Sequence, residues 1–146
     1  MFNPPKSTKF RKYRKGRSRG TVNQSLVYGN VGFKVAPGFW VDLTARQIES
    51  ARRVLSRQMK KANGKIYIRV FPDYPRTAKP AEVRQGKGKG SVDRYVFRAK
   101  PGAMIFEIAC PEENKEVAIA VLKQAAYKMP FSVEIVVKET ELGVQS

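Results

Sequence analysis

The side chains that could do chemistry are mainly cations, and few acid–base or nucleophilic groups accompany them. The chain has no His and a single Cys, Cys110, which excludes a Cys–His dyad, a Ser–His–Asp triad and a Cys₂His₂ zinc site. Four carboxylates, Asp42, Asp73, Asp93 and Glu107, fall in different predicted elements and form no evident acid–base pair. Nothing singles out one lysine as a nucleophile. We therefore expect no catalysis, no metal site and no cofactor, and we expect function through binding.

The most distinctive motif alternates glycines with other residues, mostly cations, in Arg84-Gln85-Gly86-Lys87-Gly88-Lys89-Gly90-Ser91. Glycines at every second position let the backbone approach a ligand closely, and three cations supply charge at short range. The spacing departs from that of a P-loop and from the G-x-G-x-x-G dinucleotide fingerprint. The motif indicates a loop tip that contacts RNA, with a flexible basic turn that binds nothing as the alternative.

The net charge of +17 over 146 residues is concentrated in three segments. Residues 1–20 carry eight basic and no acidic groups, residues 44–65 carry seven and one, and residues 76–90 carry five and one. The rest of the chain sums to −1. This pattern favours a polyanionic partner over a merely solubilising surface, which would mix both signs. The candidate partners are RNA, DNA and an anionic membrane.

Residues 1–20 are predicted to form a basic arm. Proline and glycine interrupt any regular element there, and a free chain of this charge repels itself and stays disordered. Against phosphates the arm can order, with Phe10 and Tyr13 free to stack on bases. The cations predicted to bind RNA in this segment are Lys6, Lys9, Arg11, Lys12, Arg14, Lys15, Arg17 and Arg19. An unstructured tail or a cleaved targeting peptide is the alternative interpretation.

Residues 44–62 give the clearest helix prediction. Thr44 and Gln47 form a capping-box pattern, and Asn63-Gly64 ends the helix. The helical period places one set of residues on an apolar face, namely Ile48, Ala51, Leu55, Met59 and Ala62. The opposite face carries a basic ridge that is predicted to bind RNA, formed by Arg46, Arg53, Arg57, Lys60 and Lys61. A merely solvated face is the alternative, although only Glu49 offers an acidic partner, to Arg53.

The remaining elements follow from alternation and helical periodicity. They are extended pieces at 26–28, 31–36 and 39–41, a strand at 65–71, a loop at 72–91, a hairpin of 92–98 with 103–109, a helix at 111–129 and a strand at 131–137. Val117, Val121, Leu122 and Ala125 are the predicted buried residues of the second helix. Together they predict an α+β fold, in which a mixed sheet carries two helices on one face. The predicted organisation is the arm at 1–20, one domain at 21–138 and a tail at 139–146.

Several stretches spread over residues 5–138 match one known family in the same order. They are the arm from Lys6 to Lys12 with Lys15-Gly16-Arg17, the helix segment Leu43-Thr44-Ala45-Arg46-Gln47-Ile48-Glu49 with Ala51-Arg52-Arg53, the strand Lys65-Ile66-Tyr67-Ile68-Arg69-Val70-Phe71-Pro72-Asp73, and the loop residues Lys79-Pro80, Val83-Arg84 and Gly86-Lys87-Gly88-Lys89-Gly90. In these stretches the chain resembles the universal family of large-subunit ribosomal proteins called L-sixteen in bacteria.

The resemblance implies an α/β-hammerhead type of fold and binding to large-subunit rRNA near the central protuberance and the aminoacyl site. It implies contacts with neighbouring large-subunit proteins, and a long loop that approaches the peptidyl-transferase centre and the aminoacyl-site tRNA. The loop residues to which this role carries over are Lys79, Arg84, Gly86, Lys87, Gly88, Lys89 and Gly90. Arg84 matches an arginine that is hydroxylated in some bacterial members, although Gln85 stands where Met is usual.

Departures from the family pattern bear on where the protein works. Gln85, Tyr95, residues 35–42 and residues 139–146 differ in the manner of an organellar member, so a mitochondrial or other organellar ribosome is favoured, with the bacterial cytoplasm as the near alternative. The sequence begins at the family's own start and offers no leader that would separate the two.

Two other functions compete with the ribosomal one. The first is a basic nucleic-acid-binding module outside the ribosome, a repressor or architectural protein, against which the long arm and the lack of a helix-turn-helix both count. The second is a membrane-surface protein, which would need Trp, Phe or Leu beside the basic helix face; the apolar residues of this helix are mostly Ala with Ile48, Leu55 and Met59, which suits a core.

Overall fold

The computed structural model describes residues 4–138, so the predicted tail at 139–146 lies outside the described residues. In chain order its elements are β1 Val31–Val35, β2 Val41–Thr44, α1 Ala45–Met59, β3 Lys65–Ile68, β4 Tyr74–Ala78, β5 Ser91–Ala99, β6 Met104–Ala109, a 3₁₀ turn Glu112–Asn114, α2 Lys115–Ala126 and β7 Val133–Val137. The predicted α+β class is confirmed.

The strands form two antiparallel sheets rather than the single mixed sheet of the prediction. The first sheet has the order β3-β6-β1-β7, and the second sheet has the order β2-β5-β4. The two helices pack against each other and against the first sheet, and α1 also contacts β2 and β5 of the second sheet. The predicted two-helix layer is therefore present, and α1 is the element that bridges the two sheets.

The predicted hairpin of residues 92–98 with 103–109 is wrong, because its two strands belong to different sheets. β5 pairs with β2 and β4, whereas β6 pairs with β1 and β3. The turn between them carries the chain from one sheet to the other. Gly102 has a φ of +81° in this turn, and a Cβ there would lie 1.8 Å from the Val22 carbonyl oxygen. Alternation identified both strands correctly, but it contains no information about their partners.

The predicted loop at 72–91 is shorter than expected, because residues 74–78 form β4. This strand lies at the edge of the second sheet, where the missing N–H of Pro75 is tolerated. β3 in turn ends at Ile68, although the Arg69 N–H still donates to the Ile105 carbonyl oxygen at 3.0 Å. The segment that remains is called the basic loop below and comprises residues 79–90.

Helix α1 begins where predicted, but it ends at Met59 rather than at Ala62, and residues 60–63 form a turn. Thr44 accepts the Gln47 backbone N–H while the Gln47 side chain accepts the Thr44 backbone N–H, which completes the capping box. Its buried residues are Ile48, Ala51, Leu55 and Met59, as predicted. At the other end, Asn63 adopts a left-handed φ of 49° and the Gly64 N–H bonds to the Met59 carbonyl oxygen at 3.0 Å.

The remaining predicted strands and the second predicted helix are confirmed only in part. Residues 31–35 form β1, but residues 26–28 are not a strand and β2 begins only at Val41. Glu112–Asn114 form a 3₁₀ turn before α2, which ends at Ala126 rather than near residue 129. In α2, Ala118 takes the buried place predicted for Val117, which is 46% exposed.

Candidate nucleic-acid interface

The basic arm lies against the second sheet. The rings of Tyr13 and Tyr74 meet edge to face with centroids 5.4 Å apart, and the Tyr74 hydroxyl donates to the Arg14 carbonyl oxygen at 2.7 Å. Nearby, the Arg98 guanidinium donates to the Gly16 carbonyl oxygen at 3.1 Å. At the end of the arm, the Trp40 indole N–H donates to the Gly20 carbonyl oxygen at 3.0 Å. Residues 13–20 are thus held by β4, by β5 and by the segment before β2.

The arm and the basic loop contact each other through two lysines. Lys12 Nζ donates to the Lys89 carbonyl oxygen at 3.1 Å, and Lys89 Nζ donates to the Tyr13 carbonyl oxygen. Within the loop, Lys79 Nζ donates to the Gly86 carbonyl oxygen. Two segments separated by some 75 residues of chain therefore form one continuous cationic surface.

Glycines in the loop serve two different purposes. Gly86 and Gly88 have φ values of 98° and 89°, and nothing lies within 4 Å of a Cβ built at either, so their backbone conformation requires glycine. Gly90 is needed for space, because a Cβ there would lie 2.4 Å from the Ala78 carbonyl oxygen. The first two shape the exposed tip, and the third seats the loop on β4.

The predicted binding cations are open to solvent. All eight arm cations, Arg84, Lys87 and Lys89 are exposed, while Lys79 is half-buried. The five ridge residues, of which Arg46, Arg53 and Arg57 lie in α1 and Lys60 and Lys61 in the turn after it, are also exposed. Glu49 pairs mainly with Arg52, at 2.9 and 2.8 Å, and more loosely with Arg53, at 3.3 Å. The Arg52 hydrogen bonds lower the pKa of Glu49 to about 2. The ridge therefore keeps most of its positive charge.

A cleft of about 1030 Å³ joins the ridge to the arm and to the second sheet. Its lining includes Pro4 of the arm, Arg46 and Arg53 of α1, and Arg94 and Tyr95 of β5. Arg94 was not among the residues that the sequence singled out. The three predicted basic segments thus meet around the second sheet: the arm covers it, the loop joins two of its strands, and the ridge borders it across this cleft.

A cluster of arginines on the second sheet also went unpredicted. Arg76 contacts the Asp42 carboxylate, and Arg98 Nε lies 3.9 Å from the other Asp42 oxygen. The Arg98 guanidinium is centred 3.8 Å from the middle of the Tyr74 ring. Burial, and then the charges of Arg98 and Arg94, lower the pKa of Arg76. Only knowledge of the strand pairing could have found this cluster, because its members are far apart in sequence.

Glu107 is the only fully buried charged residue in the described part of the chain. Its carboxylate accepts the backbone N–H groups of Val27, Tyr28 and Gly29 at 3.0, 2.7 and 2.9 Å, and it also contacts the Arg69 guanidinium. Burial raises the pKa of Glu107, but these donors lower it more, so the net pKa lies below its ordinary value. Glu107 fixes the chain between the arm and β1, and its surroundings are structural.

No other chemistry is assembled within residues 4–138. They hold no cluster of three or more His, Cys, Asp or Glu side chains that could bind a metal ion. Neither described helix is long and apolar enough to cross a membrane. Burial raises the pKa of the Cys110 thiol, which lies 3.6 Å from the Asn30 side-chain oxygen. A thiol in this state is a poor nucleophile.

Comparison with known protein families gives one clear match. The family model described as ribosomal protein L16p/L10e matches residues 5–136, which covers nearly the whole chain. The matched region contains most of the arm, the whole basic loop and the whole ridge.

Proposed function

Because the chain belongs to the ribosomal protein L16p/L10e family, we propose that its arm, basic loop and α1 ridge bind large-subunit rRNA. Members of this family are structural constituents of the large ribosomal subunit rather than enzymes. The chain is accordingly a ribosomal protein that functions in translation. Its neighbours on the subunit are rRNA and other large-subunit proteins.

The observation that carries the proposal is the mutual contact of the arm and the loop through Lys12 and Lys89. Both segments present exposed cations along one surface, and the ridge continues that surface across the cleft. Cations arranged in this way match the phosphates of a folded RNA better than any small anion. Contacts of this type position a protein on RNA, and A-form helices are recognised by shape rather than by base sequence.

The basic loop has a more specific role in this proposal. Its tip, from Arg84 to Lys89, approaches the peptidyl-transferase centre and the aminoacyl-site tRNA, while the arm and the ridge hold rRNA near the central protuberance. The left-handed backbone at Gly86, Lys87 and Gly88 and the exposure of Arg84, Lys87 and Lys89 support this assignment, because they make the tip a tight turn with cations open to a ligand. The loop positions tRNA and takes no part in bond formation.

Sedimentation of a native lysate tests the rRNA-binding proposal. We expect the protein to migrate with large subunits in a sucrose gradient and to stay with them after a wash at moderate salt. Protein at the top of the gradient, or protein released by mild salt, would contradict the proposal and favour the nucleic-acid-binding module outside the ribosome.

A double substitution, Arg84→Gln with Lys87→Gln, tests the role of the loop tip. Both side chains are exposed, and neither forms a hydrogen bond or an ion pair with another described residue, so subunit assembly should be unchanged. Aminoacyl-site tRNA should accommodate more slowly, because two cations facing its phosphates are lost. The matched control is Lys123→Gln with Lys128→Gln, on exposed residues of α2 and the turn after it. Equal accommodation rates in the two variants would contradict the assignment.

Two finer points belong to the same proposal. The Arg84 side chain is exposed and open to a hydroxylating enzyme, and peptide mass spectrometry would detect the added oxygen atom. A mitochondrial or other organellar ribosome remains our preferred location over the bacterial cytoplasm. Recovery of this chain with ribosomes from isolated organelles would support this location, and recovery with the ribosomes of a bacterial cytoplasm would contradict it.

A further inference from the structure

The second sheet places arginine side chains next to each other, an arrangement that is unfavourable in the free protein. Arg76 in β4 lies directly opposite Arg94 in β5. Directly opposed residues of neighbouring strands share one face of the sheet, and like charges in that position are destabilising. Arg98 follows Arg94 in β5 by an even number of residues. Because side chains alternate between the two faces of a strand, Arg98 lies on the same face as Arg94.

The acidic groups nearby do not balance these three arginines. Asp42, opposite Arg98 in β2, is shared between Arg76 and Arg98. Among residues 4–138, the carboxylate within ion-pair distance of Arg94 is that of Asp93, its neighbour in sequence, at 3.7 Å, and both side chains are largely exposed. An exposed ion pair of this length contributes little. The lowered pKa of Arg76, caused by burial and by the charges of Arg98 and Arg94, reflects the same excess of positive charge.

We propose that the opposed pair Arg76 and Arg94 is a binding site for a phosphodiester group of the RNA. Two arginines at directly opposed positions on one face of the sheet can offer several N–H donors to the oxygens of one phosphate, a role for which arginine is better suited than lysine. The Arg94 side chain is 64% exposed and would make the more accessible contact with the RNA, while the Arg76 side chain is positioned by its ion pair with Asp42. Arg94 also lines the cleft beside Arg46 and Arg53, so this phosphate would connect the RNA on the ridge with the RNA on the arm. The inference rests on the proposed rRNA binding and adds the sheet itself to the interface.

The substitution Arg94→Gln distinguishes a phosphate-binding site from a purely structural role, because the two roles predict opposite changes in the melting temperature. If the pair binds phosphate, the free variant should melt at the same or a higher temperature, since a like-charge contact is removed. Binding to naked large-subunit rRNA should weaken about tenfold. The slope of log K against log salt should become shallower by about 0.7 to 0.9, the contribution of one phosphate contact.

The experiment measures filter retention of rRNA by the full chain over a range of salt concentrations, with Lys123→Gln as the charge-matched control. Arg94→Lys should keep most of the salt slope and lose part of the affinity, because the charge remains without the planar fork. Wild-type affinity or an unchanged slope in Arg94→Gln would overturn the inference; so would a lower melting temperature, which would show that Arg94 stabilises the sheet.

The design also distinguishes the two proposals. If the wild-type chain itself failed to bind naked rRNA, both the proposed function and this inference would be wrong. If wild type bound and Arg94→Gln bound equally well, only the inference would fall. A defect that appeared with assembled subunits but not with naked rRNA would mean that a protein carboxylate occupies the site, and it would also overturn the phosphate assignment.

Discussion

At the scale of single residues, Glu107 shows how one buried charge organises a segment without regular structure. Residues 27–29 form no strand, yet their three N–H groups all point at one carboxylate oxygen. Gly29 permits this approach, because a Cβ there would lie 2.5 Å from the Ile108 carbonyl oxygen. A carboxylate that accepts several backbone N–H bonds is strongly held in its charged form. The chain that leaves the arm is thereby fixed to β6.

The substitution Glu107→Gln should reduce the free energy of unfolding by about 3 kcal/mol at neutral pH, because Arg69 loses its partner and the N–H donors lose a charge. The pKa of Glu107 is lowered in the folded protein, so this stabilisation is complete above the ordinary value of 4.5 and is lost as the pH falls below it. The difference between wild type and variant should therefore shrink in acid. Urea unfolding at neutral pH and below pH 4.5 measures it.

Glu134→Gln is the matched control for that measurement. Glu134 is 51% exposed and lies 3.4 Å from Lys34, so its removal should change the stability by less than about 1 kcal/mol. A difference between wild type and Glu107→Gln that stayed constant with pH would show that shape, rather than charge, holds residues 27–29.

At the scale of elements, the arm is the clearest case in which the structure departs from expectation. Its composition predicts a segment that is disordered until RNA arrives. Instead, Tyr13, Arg14 and Gly16 contact Tyr74 and Arg98 of the second sheet, and these contacts involve aromatic rings and backbone carbonyls rather than the arm's own charges. The arm's cations remain exposed, although the Lys12 ammonium group donates to the Lys89 carbonyl oxygen, and the backbone is already held. An arm ordered in advance loses less conformational entropy when it binds.

Tyr74→Phe tests this docking with little disturbance to the sheet. The ring and its contact with Tyr13 remain, but the hydrogen bond to the Arg14 carbonyl oxygen is lost. Since such a bond contributes about 1 kcal/mol, trypsin should cut the arm of the free protein about fivefold faster, at an almost unchanged melting temperature. Tyr127→Phe, whose residue is 87% exposed, is the control. Cleavage at the wild-type rate would contradict the docked arm.

The elements also show what the sequence could and could not reveal. The N-terminal boundary and the buried face of α1 followed from the capping box and the apolar period, which are local signals, whereas the predicted end at Ala62 lay beyond the observed end at Met59. β5 and β6 were both found by alternation, but their assignment to one hairpin was wrong, because pairing depends on long-range burial. β4 was missed because Pro75 and neighbouring prolines hide an edge strand. For the same reason the sequence indicated the basic arm, loop and ridge but not the Arg76, Arg94 and Arg98 cluster, which exists only once β4 and β5 pair.

At the scale of the whole molecule, positive and negative side chains are concentrated on different elements. The exposed cations of the arm and of the basic loop, with Arg46 and Arg53 of the ridge, lie around the second sheet, whereas Glu112, Glu113 and Glu116 cluster before and within the first turn of α2. Carboxylates in that position suit the positive end of the helix dipole and repel phosphate. This distribution supports the proposal that RNA binds around the second sheet rather than at the start of α2.

This asymmetry predicts that two equal changes of charge will have unequal effects. Arg57→Gln with Lys61→Gln removes two cations from the ridge, and Lys123→Gln with Lys128→Gln removes two from α2 and the turn after it; all four side chains are exposed. Glutamine has nearly the helix propensity of Arg and Lys, so both variants should fold normally. Each phosphate contact contributes about 0.7 to 0.9 to the salt slope. The ridge variant should therefore bind naked large-subunit rRNA with a slope shallower by about 1.5, while the α2 variant keeps the wild-type slope. Equal slopes in the two variants would mean that RNA is attracted by net charge alone, and the ridge would then be only a solvated helix face.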